Sequence, residues 1–221
     1  MNKLDYKKKY KELYQPKEPV LIEVPPIAYA VIEGCGDPNE TASFQEAISL
    51  LYGLSYMIKM DKDKPNRYFE YVIPPLEGLW WVDNSCFDGL NIQDKNQFQW
   101  LLMIRLPEFV DEIIFNQAKE KLRNKKQDDH VNKLEFRIID EGLCVQTMHI
   151  GSFDLEAQTI LNMKKYVQEM EYQEDINENR RHHEIYLSDF RRTKTANFRT
   201  VIRHPVKKTS DYDVYPKFWT R

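Results

Sequence analysis

The sequence is short of the residues on which several kinds of chemistry depend. Glycine fills 7 of 221 positions, and none of them forms a loop of the phosphate-cradling kind. There is no GxSxG and no CxxC, so nucleotide-loop, serine-hydrolase and dithiol-redox classes find no support. Cys35, Cys86 and Cys144 are odd in number, far apart and in no metal-ligand spacing. They read as reduced thiols. Basic excess is missing as well: 32 Lys and Arg face 35 Asp and Glu, a formal net charge of −3. That balance argues against nucleic acid as the main partner. No window approaches the ~18 uninterrupted apolar residues of a membrane span. The N-terminal "MNKLDYKKKYKELY" has no apolar core of signal-peptide length. These absences place the protein in the cytoplasm, away from the membrane.

What is present is an apolar and aromatic chain, 42% and 13% respectively, long enough to bury a substantial core. Residues 1–18 are polar and lysine-rich and read as a loosely packed lead-in. "VLIEVPPIAYAVIEG" (20–34) is rich in β-branched residues and broken by Pro25 and Pro26, which predicts two short strands or one kinked strand. Phe44, Ala47, Ile48, Leu51, Leu54 and Ile58 recur at helical spacing, with Thr41 or Asn39 as a cap. "RYFEYVIPP" (67–75) and "FQWLLMIRLP" (98–107) predict strands, joined by a loop containing "LEGLWWV". "VDEIIFNQAKEKLRNKK" (110–126) predicts an amphipathic helix whose basic end suits the helix dipole. The second half repeats the order: strands within 133–151, a helix over 154–170, then strands in "HHEIYLSDF" and "FRTVIRHPV".

Gly34 and Gly151 each end a strand shortly before a helix, and "IRLP" and "IRHP" each close a half. With the matching element order, these echoes predict an α+β protein of two β-α-β-β modules in pseudo-two-fold arrangement. The boundaries are a lead-in (1–18), a first module (19–108), a linking helix (109–126), a second module (127–206) and a C-terminal extension (207–221). Helices cover one face of the paired antiparallel sheets. The other face carries Phe69 and Tyr71, Phe98 and Trp100, Gln146 and Met148, and Glu184 and Tyr186. Alternate residues of these strands are apolar or aromatic on both sides, so the second face is expected to line a central cleft.

Glu184 lies between a histidine pair and apolar Ile185. It reads either as an exposed strand carboxylate or as the floor of a site. Adjacent His182 and His183 point to opposite faces, no HExxH is present and no third ligand is evident, so no metal is expected. Trp80 and Trp81 serve either as core or as a platform for planar ligands. The basic run 190–208, with seven Lys or Arg and no acidic residue, reads as a solvated face.

"LEGLWWV", "MHIGSFDLEAQTI", "HHEIYLSDFRR" and "TVIRHPV", in this order, resemble the GyrI-like small-molecule-binding family over residues 18–206. Phe190 stands where that family's "LSDP" has proline, a departure that touches the local turn. The resemblance implies SHS2-like modules enclosing an aromatic cleft, and a hydrophobic aromatic small molecule as partner. Some members are effector domains of multidrug-responsive regulators, in which a buried glutamate, matching Glu184, faces lipophilic cations. Others hydrolyse the cyclopropane of DNA-alkylating compounds of the yatakemycin and CC-1065 type. With about 18 residues before the first strand, a DNA-binding domain has no room. The resemblance therefore leaves a standalone binder or a cofactor-independent hydrolase, and the reading favoured here is the hydrolase. Glu184 is its general base, Tyr71 or Tyr186 the donor to the developing oxyanion, and Trp81, Trp100, Phe69, Met148 and Trp80 its substrate platform. The competing reading is a non-catalytic binder of lipophilic cations, and a third is an interaction module using its sheet edge. The residues do not fix an oligomeric state; a monomer is compatible with them.

Overall fold

The computed structural model describes residues 3–82, 95–189 and 192–209. Cys86, Phe190, Arg191 and most of the C-terminal extension lie outside the described residues. Two short helical turns, α1 (Tyr6–Lys9) and α2 (Lys11–Tyr14), precede strands β1 (Val20–Val24) and β2 (Ile27–Cys35). Then come α3 (Ala42–Met60), β3 (Leu76–Trp81), β4 (Gln99–Arg105) and α4 (Glu112–Lys126). The rest of the chain supplies β5 (Glu135–Ile139), β6 (Gly142–Ile150), α5 (Glu156–Glu169), β7 (Tyr172–Glu174), β8 (His182–Tyr186) and β9 (Arg199–Lys208).

These strands form one nine-stranded sheet in the order β1-β6-β9-β8-β3-β4-β2-β5, with β7 added to β9. All its ladders are antiparallel, as in an α+β fold. The two halves meet where β3 pairs with β8, Gly78 opposite Glu184. From that seam, β4 and β2 follow on one side and β9 and β6 on the other. β2, α3, β3 and β4 follow one another on the first side and β6, α5, β7, β8 and β9 on the second, while β5 ends the first side and β1 the second.

The helices form because their apolar residues recur on one side. Phe44, Ala47, Ile48, Leu51, Leu54 and Ile58 of α3 are all buried. In α5, Met163 and Val167 pack with Val145, Ile202 and Val206. Asp111 caps α4 by accepting from the Ile114 amide at 2.9 Å, and Arg123, Lys125 and Lys126 sit at its C-terminal end. Thr41 stands at the N-cap of α3 without a side-chain capping bond.

Four expectations need correction. The strand in the 67–82 region is "LEGLWW", not "RYFEYVI": within 67–75 the single bridge is Tyr71 to Leu4. β-propensity misled there, because a central strand containing Gly78 resembles a turn. The lead-in is not loose, since Tyr6, Leu13 and Tyr14 are buried. The face without long helices is consequently not a cleft; the segment carrying α1 and α2 covers it. Arg203, expected on a solvated face, is 2% exposed and donates to the Leu13 carbonyl at 3.2 Å.

Behind the sheet lies a buried ionic cluster that ties this segment down. Arg203 Nη1 meets Glu141 Oε2 at 2.7 Å, and its Nε meets Gln146 Oε1 at 3.0 Å. His183 spans two carboxylates, Glu141 at 2.9 Å and Glu77 at 3.0 Å. The Tyr29 hydroxyl also donates to Glu77. Burial alone would raise the Glu141 pKa, but His183 and Arg203 outweigh it and hold the carboxyl down at about 2.

Glu141→Gln leaves Arg203 buried without its paired carboxylate and His183 with only Glu77, which should cost roughly 3–5 kcal/mol in urea unfolding. The sign of the acid dependence follows from the depressed pKa. This contribution is complete above the ordinary carboxylate value of 4.5 and is lost as pH falls towards about 2. An acid-unfolding titration of Glu141→Gln should lack that limb.

Candidate functional site

Strand alternation at the seam puts Leu76, Gly78 and Trp80 on the same face as His182, Glu184 and Tyr186. Trp100 on β4 and Ile202 and His204 on β9 share this face through the ladder. It is the face that carries α3 and α5. Phe44 of α3 meets the Trp100 ring edge-on at 5.2 Å and the Trp80 ring at 5.8 Å. On the other side, the Thr159 hydroxyl of α5 meets His149 Nδ1 at 2.9 Å. Glu184 therefore lies on the sheet face that α3 and α5 cover.

Two glycines make room for the indoles. A Cβ on Gly34 would stand 2.2 Å from the Trp100 ring, so that ring occupies the space of the missing side chain. A Cβ on Gly78 would stand 2.8 Å from Trp80 Nε1 and 3.2 Å from the Tyr186 hydroxyl. Its absence lets Trp80 Nε1 donate to the Tyr186 oxygen at 2.9 Å. The Tyr186 hydroxyl in turn donates to Glu184. Burial first, and then the Glu184 charge, raise the Tyr186 pKa well above its ordinary value, so it remains a phenol.

A chain of titratable groups runs away from Glu184. Its Oε1 lies 3.0 Å from His182 Nε2, and its side chain is 12% exposed. His182 Nδ1 lies 2.6 Å from His204 Nε2, and His204 Nδ1 lies 2.5 Å from Glu174 Oε1. Lys164 approaches Glu174 at 3.4 Å. Burial lowers the His204 pKa, against the opposing pull of the Glu174 carboxylate. On the α5 side, Glu156 is buried close to Glu184. Burial, and next the Glu184 charge, push the Glu156 carboxyl far above the ordinary carboxylate range.

Beside Tyr186 opens a cavity of about 330 Å³, bordered among others by Tyr52 and Tyr56 of α3, Ile73, Pro75, Leu76 and Leu187. Its walls mix apolar and aromatic side chains with Lys7, Lys59, Ser188 and Asp189, which suits a small molecule with an aromatic body and polar edges. Phe153 stands edge-on to Tyr186 at 5.9 Å and packs on Phe198.

Of the residues expected to form the site, the fold brings together Glu184, Tyr186, Trp80 and Trp100. Trp81 faces the other side of the sheet, bonded to Gln99 at 2.9 Å and covered by the Arg181 guanidinium at 4.9 Å. Met148 pairs with Val201, also on that side. Phe69 and Tyr71 pack around Phe109, in an aromatic cluster separate from Glu184. The sequence reading missed Glu156, Phe44, Tyr52 and the role of His204. Glu156 looks like an ordinary acidic residue in a first helical turn. His204 in "IRHP" carried a weak signal, as a histidine two residues from Ile202 on the same strand face.

Fold and site together point to the class of small-molecule-binding proteins, with a buried carboxylate and two indoles on an antiparallel sheet and a cavity beside Tyr186. The chain belongs to the GyrI-like small molecule binding domain family, whose model matches residues 17–207. It is similar to an uncharacterized conserved protein from Listeria innocua, at 36% identity and a TM-score of 0.85, covering 93% of this chain and 100% of that one. A hydrolase from Listeria innocua matches at 34% identity and a TM-score of 0.83 with the same coverage. The C-terminal domain of EcmrR shares the fold, at 14% identity and a TM-score of 0.50 over 87% of this chain and 98% of that one. No curated protein matches the sequence significantly. Among the described residues, no helix is long and apolar enough to cross a membrane.

Gly78→Ala should force Trp80 from the Tyr186 hydroxyl. The expected cost is about 1–3 kcal/mol of stability, with an altered tryptophan emission spectrum in the folded protein.

Proposed function

We propose that this protein binds planar, hydrophobic aromatic molecules in the groove and detoxifies cyclopropane-containing DNA-alkylating compounds of the yatakemycin and CC-1065 type by hydrolytic ring opening. The observation that carries this reading is Glu184, a largely buried carboxylate gripped by His182 and by Tyr186, the latter bordering the cavity. The similarity to hydrolases from Listeria innocua over 93% of the chain supports an enzymatic role.

The groove by itself supplies binding. Stacking that removes ~300 Å² of apolar surface from water gains about 7 kcal/mol gross. Association consumes several kcal/mol of that gain, leaving weak to micromolar affinity. Trp80 and Trp100 stiffen the floor, and Tyr52 and Tyr56 offer faces for stacking on the ligand.

For turnover, Glu184 removes a proton from a water molecule as its oxygen bonds to the cyclopropane methylene. The carbon–carbon bond of the ring breaks, and its electron pair moves through the conjugated dienone to the carbonyl oxygen, which becomes a phenolate. Solvent then protonates the phenolate, and Glu184 returns its proton to solvent. Strain and aromatisation drive the step, so no cofactor is required. The donor role expected of tyrosine changes in this arrangement. Tyr186 is engaged between Trp80 and Glu184 and orients the base, while Tyr71 sits in another cluster.

The competing reading is a binder of lipophilic cations, favoured by the proximity of Glu156 and Glu184 among aromatic rings. Glu184→Gln separates the two. If Glu184 is the base, water addition to a neutral cyclopropanoid, followed by mass spectrometry, should fall by ~10²–10⁴. The ligand-induced thermal shift should persist. Turnover at the wild-type rate in this variant would remove Glu184 as the base. A wild-type protein that adds no water but loses cation affinity on substitution would be the binder.

A further inference from the structure

Glu156 has no part in the reaction above, yet its placement is unusual. It is 8% exposed, and its Oε1 has no hydrogen-bond partner. One ligand atom each of Glu156, His182 and Glu184 lie within 4.8 Å of one another. A buried, incompletely bonded carboxyl group beside a second carboxylate and an imidazole calls for a cation or a donor between them.

The hydrogen-bond directions behind His182 sharpen this. Glu174 accepts from His204 Nδ1 at 2.5 Å. His204 Nε2 in turn meets His182 Nδ1 at 2.6 Å. That leaves His182 Nε2 as the ring end facing Glu184 Oε1 at 3.0 Å. An imidazole backed through its other nitrogen by a hydrogen-bonded carboxylate chain is the usual support of a metal-ligating histidine. Two carboxylates and one imidazole form a donor set for zinc, manganese or ferrous iron.

We propose that Glu156, His182 and Glu184 bind one divalent transition-metal cation, zinc being the best matched. Glu156 supplies a buried carboxylate that has an oxygen without a protein partner, and His204 and Glu174 orient His182. The site shares Glu184 with the proposed hydrolase but does not depend on that activity. A metal-bound Glu184 is unavailable as a base, so the loaded protein is the inhibited form.

The test is calorimetric titration of the chelator-treated, tag-free full chain with Zn2+ and Mn2+. One equivalent should bind, and Glu156→Gln and His182→Asn should each weaken it at least 10-fold. His204→Phe, which removes the support of His182, should weaken it 10–100-fold. Glu46→Gln should not, because it alters the separate, more exposed Glu46, Asp128 and His130 cluster. Circular dichroism reports whether each variant folds, and two independent ligand substitutions keep the test alive if one does not. No binding, or binding unchanged in both Glu156→Gln and His182→Asn, would overturn the proposal. In a parallel assay, zinc should suppress water addition to a cyclopropanoid, and a chelator should restore it. Absence of turnover in metal-free protein would sink the hydrolase reading while leaving the isotherm intact.

Discussion

A carboxylate in a nearly dry groove survives only if donors replace the water it has lost. Glu184 is supplied from two directions, by the His182 ring at 3.0 Å and by the Tyr186 hydroxyl. Both donors come from its own strand, two residues before and two after it, where alternation puts them on the same face. Each donor is held by a further group: His182 by His204 and Glu174, and Tyr186 by the Trp80 indole. The last of these contacts needs a strand without a side chain at Gly78, directly across the seam from Glu184. The polar heart of the groove is thus a property of the pairing between the two halves, and neither half could build it alone.

The sheet separates two polar systems that behave differently. On the back face, Arg203, His183, Glu141 and Glu77 satisfy one another and the N-terminal segment. Such a closed cluster orders the fold and offers little to a ligand. On the groove face, Glu156 retains an unmatched oxygen and the aromatic walls stop at a cavity. The adjacent residues His182 and His183 belong to opposite systems because successive strand side chains point to opposite faces. A single-residue shift of β8 would exchange them and dismantle both.

Much of the framework was legible from periodicity. The apolar spacing in α3, α4 and α5 marks their buried sides, and the runs around Trp100, Glu184 and Ile202 mark β4, β8 and β9. β3 was hidden because glycine and paired tryptophans resemble a loop, while "RYFEYVI" has the stronger β-propensity. The covered back face was hidden because lysines dominate residues 1–18, although Tyr6, Leu13 and Tyr14 supply the contact.

The sequence by itself determined the helices, most strands, the aromatic wealth of the chain and the singular position of Glu184, since these depend on spacing along the chain. Only the tertiary structure decided which face became the groove, that Trp80 and Trp100 join Glu184 while Trp81, Met148 and Tyr71 do not, and that Glu156 arrives from a distant helix. Strand partners and helix placement come from burial across the whole molecule, and no local pattern encodes which distant surfaces will meet.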